Sequence, residues 1–259
     1  MGEQLSVFIV TLNEAERIGR TLDAIAGLSS DVIVVDSGST DATVEIAREK
    51  GVKVVHRDWS GYGPQKRHGE SLCRHDWVLN IDADEVVTPE LAREIGALMQ
   101  GARELADAYR IRIVEVYPGE TKPAPFAYGL DPVRLYRRSK GSYAESAVHD
   151  RVMLQADAKV GVLRHRIDHF SVPSMRNQID KLLRYADAHE AATEHRSRRI
   201  SSLRMISEFP LAFLKAYFGR RHFMRGAYGY AIAVNYAYYR HIRIMQLYER
   251  NRLPKADDI

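Results

Sequence analysis

The sequence predicts an α/β fold with a mostly parallel central sheet flanked by helices, followed by a C-terminal helical appendage. Three observations carry that prediction. Short apolar runs alternate with amphipathic stretches over the first half of the chain. The runs are apolar throughout, the pattern of strands covered on both faces of a parallel sheet. Polar residues then close each run, and a turn or helix entry follows directly.

Leu5 to Val10 reads as a buried strand that ends at Thr11-Leu12-Asn13-Glu14. Ala15, Ile18, Leu22 and Ile25 then recur at helical spacing, and Asn13 with Glu16 suits a capping pair. Val32 to Val35 is a second strand, ending at Asp36. Turn residues Ser37-Gly38-Ser39-Thr40-Asp41 lead to a helix over about 42–50, and a third strand covers 53–56. Gly61-Tyr62-Gly63-Pro64 reads as a loop before a helix over about 65–74. Trp77 to Ile81 is a fourth strand, ending in Asp82-Ala83-Asp84-Glu85. Thr88 caps the next helix, with Pro89 at its first position, as far as Met99. Ala108 to Val116 alternates as a longer strand, and a Pro/Gly-rich loop runs to about Asp131. Val133 to Arg137, Lys159 to Leu163 and Ile167 to Phe170 are strand-like. From Ser174 the pattern is helical, with Met175, Ile179, Leu182, Leu183 and Ala186 predicted to face inward.

At 259 residues, 45% hydrophobic and 28% charged, the chain has the composition of a folded protein with a sizeable core. Cys73 is the only cysteine, which excludes an intrachain disulfide and argues against a cysteine zinc site. It reads as a small buried hydrophobe, not a nucleophile. Met1-Gly2-Glu3-Gln4 is polar and leads straight into a strand, so no secretory signal and a cytoplasmic location are expected. Neither a Walker loop nor G-x-G-x-x-G occurs, which argues against a P-loop NTPase or a dinucleotide dehydrogenase.

Strand alternation sends Asp82 and Asp84 to the same side, so both can face one divalent ion. Hard oxygen ligands with open positions suit Mg²⁺ or Mn²⁺ carrying a diphosphate. The plainer alternative is that acidic residues merely end a strand. Thr11, Asp36 and Asp82 all lie at carboxyl ends of predicted strands, where α/β sheets bind ligands.

Val7 to Glu14 (VFIVTLNE), Val34 to Asp41 (VVDSGSTD) and Trp77 to Glu85 (WVLNIDADE), in that order, resemble family 2 inverting glycosyltransferases of the GT-A fold. Within that family, Ala147-Val148-His149-Asp150 and the C-terminal region resemble bacterial lipopolysaccharide-core β-1,4-glucosyltransferases. The resemblance implies a nucleotide-sugar donor, most often a UDP-sugar, and a glycolipid or saccharide acceptor. It implies that Thr11 and Glu14 lie near the nucleoside, that Asp36 accepts from the uracil N–H, and that Asp82 sits near ribose and metal. Asp84 matches the direct ligand of Mg²⁺ or Mn²⁺. Lys66 and Arg67 either add positive charge at the diphosphate or form a solvated helix face; relatives often carry Asn where Arg67 stands. The family's general base belongs to an acidic pair well beyond the metal motif, and here His149-Asp150 stands where many relatives carry Glu-Asp. Asp150 is the expected base and Glu145 the alternative. His149 is either an extra metal ligand or a surface histidine. His165 and His169 are expected to be structural, because their i, i+4 spacing falls in strand or loop. Because the chain turns helical after Val172-Pro173, it is expected to divide into a catalytic domain over 1–172 and a helical region over 173–259.

In that helical region, Ile200, Leu203, Ile206, Phe213, Leu214 and Tyr217 recur at roughly helical spacing, interrupted by Pro210. Thr193 to Arg225 holds eight Lys or Arg against two Glu, and Tyr217 to Tyr248 holds seven of the fourteen tyrosines. Ala227 to Tyr239 is shorter than the ~20 apolar residues a bilayer crossing needs. Helices lying in a membrane interface fit this pattern; so does an ordinary helical subdomain. Peripheral contact with the inner face of the cytoplasmic membrane is expected. Nucleic-acid binding is not, because the basic region lacks a reader motif. Two rivals remain open: a polyprenyl-phosphate sugar transferase of the same fold, and a nucleotide-binding interaction protein without turnover.

Overall fold

The computed structural model describes residues 2–101, 106–125, 127–146, 150–172, 174–192 and 202–250. The chain divides into two compact units, one of Met1–Glu115 with Gly129–Ser171 and one of Val116–Tyr128 with Val172–Ile259. The first unit begins with β1 (Leu5–Thr11), α1 (Ala15–Ile25), β2 (Asp31–Asp36), α2 (Thr43–Glu49) and β3 (Lys53–His56). It continues with α3 (Tyr62–Ser71), β4 (Trp77–Asp82), β5 (Glu85–Val87), α4 (Pro89–Met99) and β6 (Ala108–Glu115). Short strands β7 (Gly129–Leu130), β8 (Val133–Arg137), β9 (Gly141–Tyr143) and β10 (Val152–Leu154) precede the long β11 (Val160–His169).

The main sheet runs β3-β2-β1-β4-β8-β6-β11-β5, with β7 beside β6. The β3-β2-β1-β4 half is parallel. Beyond it the sheet is mixed: β8 is antiparallel to both β4 and β6, and β11 is parallel to β6. Successive residues of β1 serve opposite faces, as the pleat demands. Val7 and Ile9 join the core against α1 and α4, with Ile18, Leu22, Leu91 and Ile95. Phe8 joins the other core, with Val35, Val78, Cys73, Tyr136 and Tyr143. Each fully buried Leu, Ile or Phe contributes about 1.5–3 kcal/mol, so this two-sided burial holds the strand ends in place.

Several local expectations change. Asn13 does not cap α1: it sits at φ 55°, and its side chain instead accepts from the Thr40 N–H. Asp41, from the loop after β2, and Thr43, the first residue of α2, accept the N–H groups of Ala15 and Glu14 respectively. Helix α3 starts at Tyr62, earlier than predicted, because Pro64 falls in the first turn, where no intrahelical N–H is needed. Glu85 opens a short strand paired with β11, and β11 is one strand from Val160 to His169 whose register with β6 shifts between Val162 and Arg166, where the sequence suggested a gap.

The second unit contains α5 (Met175–Ala192), α6 (Ser202–Leu214), a π turn (Lys215–Gly219), a 3₁₀ turn (His222–Arg225) and α7 (Gly226–Arg250). Helix α6 continues through Pro210. Ser174 caps α5 through the Asn177 N–H. Of the predicted inward residues, Ala186 is buried, whereas Ile179 and Leu183 are exposed; Gln178 is buried in their place and bonds Asn235 of α7. No helix among the described residues is long and apolar enough to cross a membrane.

Candidate active site

Parallel pairing brings the three strand ends to one edge. Thr11 lies opposite Asp36, and Val10 lies opposite Asp82. Asp36 is buried and accepts the N–H groups of Gly38 (2.9 Å) and Ser39 (3.0 Å) as well as the Ser39 hydroxyl. A carboxylate offers about four lone-pair sites, so one acceptor position remains. Beside it, Gln65 ties α3 to this loop, donating to Ser37 Oγ (3.0 Å) and the Arg57 carbonyl (2.7 Å). The Thr11 hydroxyl and the Gln65 side-chain carbonyl are both buried with no hydrogen-bond partner among the described residues. Leaving such groups unsatisfied costs about 1–3 kcal/mol each, a cost that a polar ligand would relieve. Glu14 is committed elsewhere, with its carboxylate 2.6 Å from Arg17 Nε.

A buried charge network lies at the end of β4. Asp82 meets Lys66 Nζ through Oδ1 at 2.9 Å and Arg134 Nη2 through Oδ2 at 2.9 Å. Arg134, on β8, also meets Glu85 at 2.8 Å and donates to Asn80 Oδ1. Glu85 in turn accepts the Asp82 N–H, and Asn80 Oδ1 accepts the Tyr143 hydroxyl. Burial alone would raise the Asp82 pKa; Arg134 and Lys66 override it and hold that carboxyl well below the usual range. Burial would likewise lower the Lys66 pKa, but Asp82 opposite raises it above the ordinary lysine value. Lys66 is therefore cationic, and so is Arg134.

Asp84 projects to a different partner. Its Oδ1 is 3.3 Å from His169 Nε2, at the end of β11. Burial opposes the imidazolium, but Asp84, Glu85 and Glu115 raise the His169 pKa to about 9. As it stands this is an ion pair; with His169 relieved of its proton, the same two atoms could serve as ligands of one ion such as Mn²⁺, while Mg²⁺ would rely on the carboxylate. Among the described residues no group of three or more His, Cys, Asp or Glu is gathered as a metal site. His149 lies outside the described residues. His165 is apart from this cluster and bonds Glu94.

The two base candidates separate. Asp150 Oδ2 is 2.6 Å from Lys66 Nζ, so one ammonium touches both Asp82 and Asp150. Glu145 is largely exposed and lies 3.4 Å from Arg67 Nη1, outside that cluster. The Glu145 loop sits tightly on α3. The Gly63 N–H donates to the Ser146 carbonyl, and a Cβ on Gly63 would come within 2.0 Å of the Ala144 carbonyl oxygen.

Sequence reasoning missed Arg134 and His169. Arg134 had a visible signal, since it interrupts the apolar run Val133-Arg134-Leu135-Tyr136 with a charge that needs a buried partner. His169 had none of comparable strength, because its place follows from pairing with Glu85 across the sheet.

Comparison with known proteins agrees with this architecture. The glycosyl transferase family 2 model matches residues 6–149. The chain is 35% identical over 255 residues to an uncharacterized glycosyltransferase of Rickettsia conorii, covering 95% of this chain and 90% of that protein. It is 28% identical over 274 residues to the lipopolysaccharide core biosynthesis glycosyltransferase LpsC of Rhizobium meliloti, covering 98% and 96%. Among solved structures it is similar to S. aureus TarS 1–349, with a TM-score of 0.48 and 18% identity over 96% of this chain and 91% of that one. That superposition is too loose to bear on the site. The family match over the strand-end half, and the relatives aligned along nearly the whole length, establish that this chain belongs to glycosyl transferase family 2 and has the GT-A fold.

Proposed function

We propose that the protein is a metal-dependent, inverting hexosyltransferase that moves glucose from UDP-glucose onto a bacterial surface glycolipid such as the lipopolysaccharide inner core. The observation that carries this reading is the position of Lys66 Nζ, 2.9 Å from Asp82 and 2.6 Å from Asp150. It couples a strand-end carboxylate of the donor edge to a carboxylate suited to the acceptor. The orphaned Thr11 hydroxyl and Gln65 carbonyl support a nucleoside at that edge, and the free acceptor position of Asp36 suits an imide N–H. Similarity to LpsC supports a lipopolysaccharide-core acceptor. The catalytic part is assigned to 1–172 and the helical part, 173–259, to peripheral contact with the inner face of the cytoplasmic membrane.

In this mechanism Asp84 and His169 would hold a divalent cation. A cation bound there would supply Lewis-acid stabilisation of the departing diphosphate, worth several kcal/mol. Asp150 accepts the acceptor hydroxyl's proton on the face opposite the leaving group, as single-displacement inversion requires. Lys66 orients Asp150 and, with Arg134, keeps Asp82 ionised and fixed. Charged groups prearranged this way need little reorganisation as charge develops.

The test is Asp150→Asn. It removes the base while keeping the size, so UDP affinity should hold and glucosyl transfer should fall by about 10²–10⁴. Wild-type transfer would dismiss Asp150 as the base. Retained transfer confined to a phosphate acceptor would favour the polyprenyl-phosphate rival, because a phosphate needs no strong base.

A further inference from the structure

Helix α6 carries apolar residues on both of its sides, and one of those sides faces water. At 3.6 residues per turn, Leu203, Ile206, Pro210, Leu211 and Leu214 fall within an arc of about 140°. These residues are exposed, Leu203 and Ile206 at 76% and 73%. The opposite face carries buried Ala212 with half-buried Met205, Phe209 and Glu208, and the Glu208 carboxylate meets Arg240 of α7 at 2.7 Å. The apolar stripe continues past the helix. Phe218 is 57% exposed, and its ring lies 6.0 Å from that of Phe223, itself exposed. An ordinary surface helix turns its apolar face inward and its polar face to water. Here the inward face is itself largely apolar, with Phe213 also 5.8 Å from the Tyr230 ring of α7, and a second aliphatic and aromatic stripe is left uncovered among the described residues.

The charge around the stripe selects its occupant. Ser202 to Arg225 holds five Lys or Arg against one Glu, and that Glu is already paired within the unit. Arg204, Lys215 and Arg221 are exposed beside the apolar residues. A second copy docked by twofold symmetry would set these cations against themselves. A bilayer with anionic headgroups satisfies both features, because aliphatic side chains enter the acyl boundary while Arg and Lys meet phosphates. We propose that the exposed face of α6, extended by Phe218 and Phe223, docks in the plane of an anionic lipid surface. It lies on the membrane and does not cross it, consistent with the absence of a spanning helix among the described residues. This deepens the membrane-contact part of the function proposed above and rests on it for its purpose, though not for its geometry.

The experiment is flotation of the full-length protein with vesicles of phosphatidylcholine alone or mixed with phosphatidylglycerol, for wild type and Ile206→Ser/Leu214→Ser. Wild type should float with the anionic vesicles only, and raised salt should weaken the association. The double variant should bind about tenfold less. Its thermal melting should match wild type, because both side chains face water. Equal flotation of the two proteins, or indifference to phosphatidylglycerol, would overturn the proposal. So would a lipid-free dimer, seen by light scattering, that the double substitution dissociates. UDP release from UDP-glucose, followed in the same preparations without vesicles, reports separately on the catalytic reading. Flotation failing while release persists removes only the docking surface.

Discussion

Arg134→Met isolates the contribution of the buried network. The guanidinium bonds Asp82 at 2.9 Å and Glu85 at 2.8 Å, with its side chain 8% exposed and that of Glu85 1% exposed. Methionine fills similar space without charge. Among the described residues its introduction leaves Asp82 to Lys66 and Glu85 with only the longer-range attraction of His169. Breaking a buried ion pair by deleting one partner costs about 3–5 kcal/mol, chiefly through the carboxylate left behind. Urea unfolding followed by tryptophan fluorescence is the assay, since Trp77 is fully buried in β4 of the same unit. The midpoint should fall with the slope unchanged. Adding Glu85→Gln to Arg134→Met should recover part of the loss, a coupling expected only when two groups interact directly. A loss below about 1 kcal/mol, the range of an exposed pair, would refute the claim that this network holds the strand-end carboxylates.

The other consequences are simpler. Gly63→Ala drives a methyl into the Ala144 carbonyl, so the loop carrying Glu145 must move; overpacking of this kind costs about 1–3 kcal/mol. Thermal melting should show that loss, and transfer should fall more than UDP binding does. Cys73 is buried, and burial pushes its thiol pKa up to about 12. The native thiol should therefore resist a disulfide reagent at pH 8 and react at once in urea. Because the folded pKa is raised, the neutral thiol stabilises the fold fully below the unfolded cysteine pKa. That stabilisation is lost as the pH rises toward 12, a trend that Cys73→Ser should flatten.

Much of the donor edge could be read from the chain because it rests on local rules. Apolar runs closed by Thr11, Asp36 and Asp82 specify parallel strands and their ends, and parallel neighbours necessarily bring those ends together. The Thr88-Pro89 start of α4 is equally local, and Thr88 does accept the Leu91 N–H. What could not be read depends on partners distant in sequence. Asn13 looked like a cap, yet Asp41 and Thr43, from beyond β2, supply the bonds at α1. His169 reached Asp84 only through the antiparallel pairing of β11 with β5. Ile179 and Leu183 fitted an inward helical face, but α5 buries Gln178 against Asn235 instead. On α6, periodicity located an apolar stripe without telling which side faces the protein.

The central claim is that the strand-end acidic motif holds a cation for a sugar nucleotide. It is tested most directly by nucleotide release from UDP-, GDP- and dTDP-sugars, with Mn²⁺, Mg²⁺ or EDTA, for wild type and Asp84→Ala. The account predicts release of UDP from UDP-glucose that needs a divalent cation and disappears in Asp84→Ala, with thermal melting of the variant close to wild type. Undiminished release in EDTA or in Asp84→Ala would contradict it, as would a variant that melts as though a core side chain had been deleted.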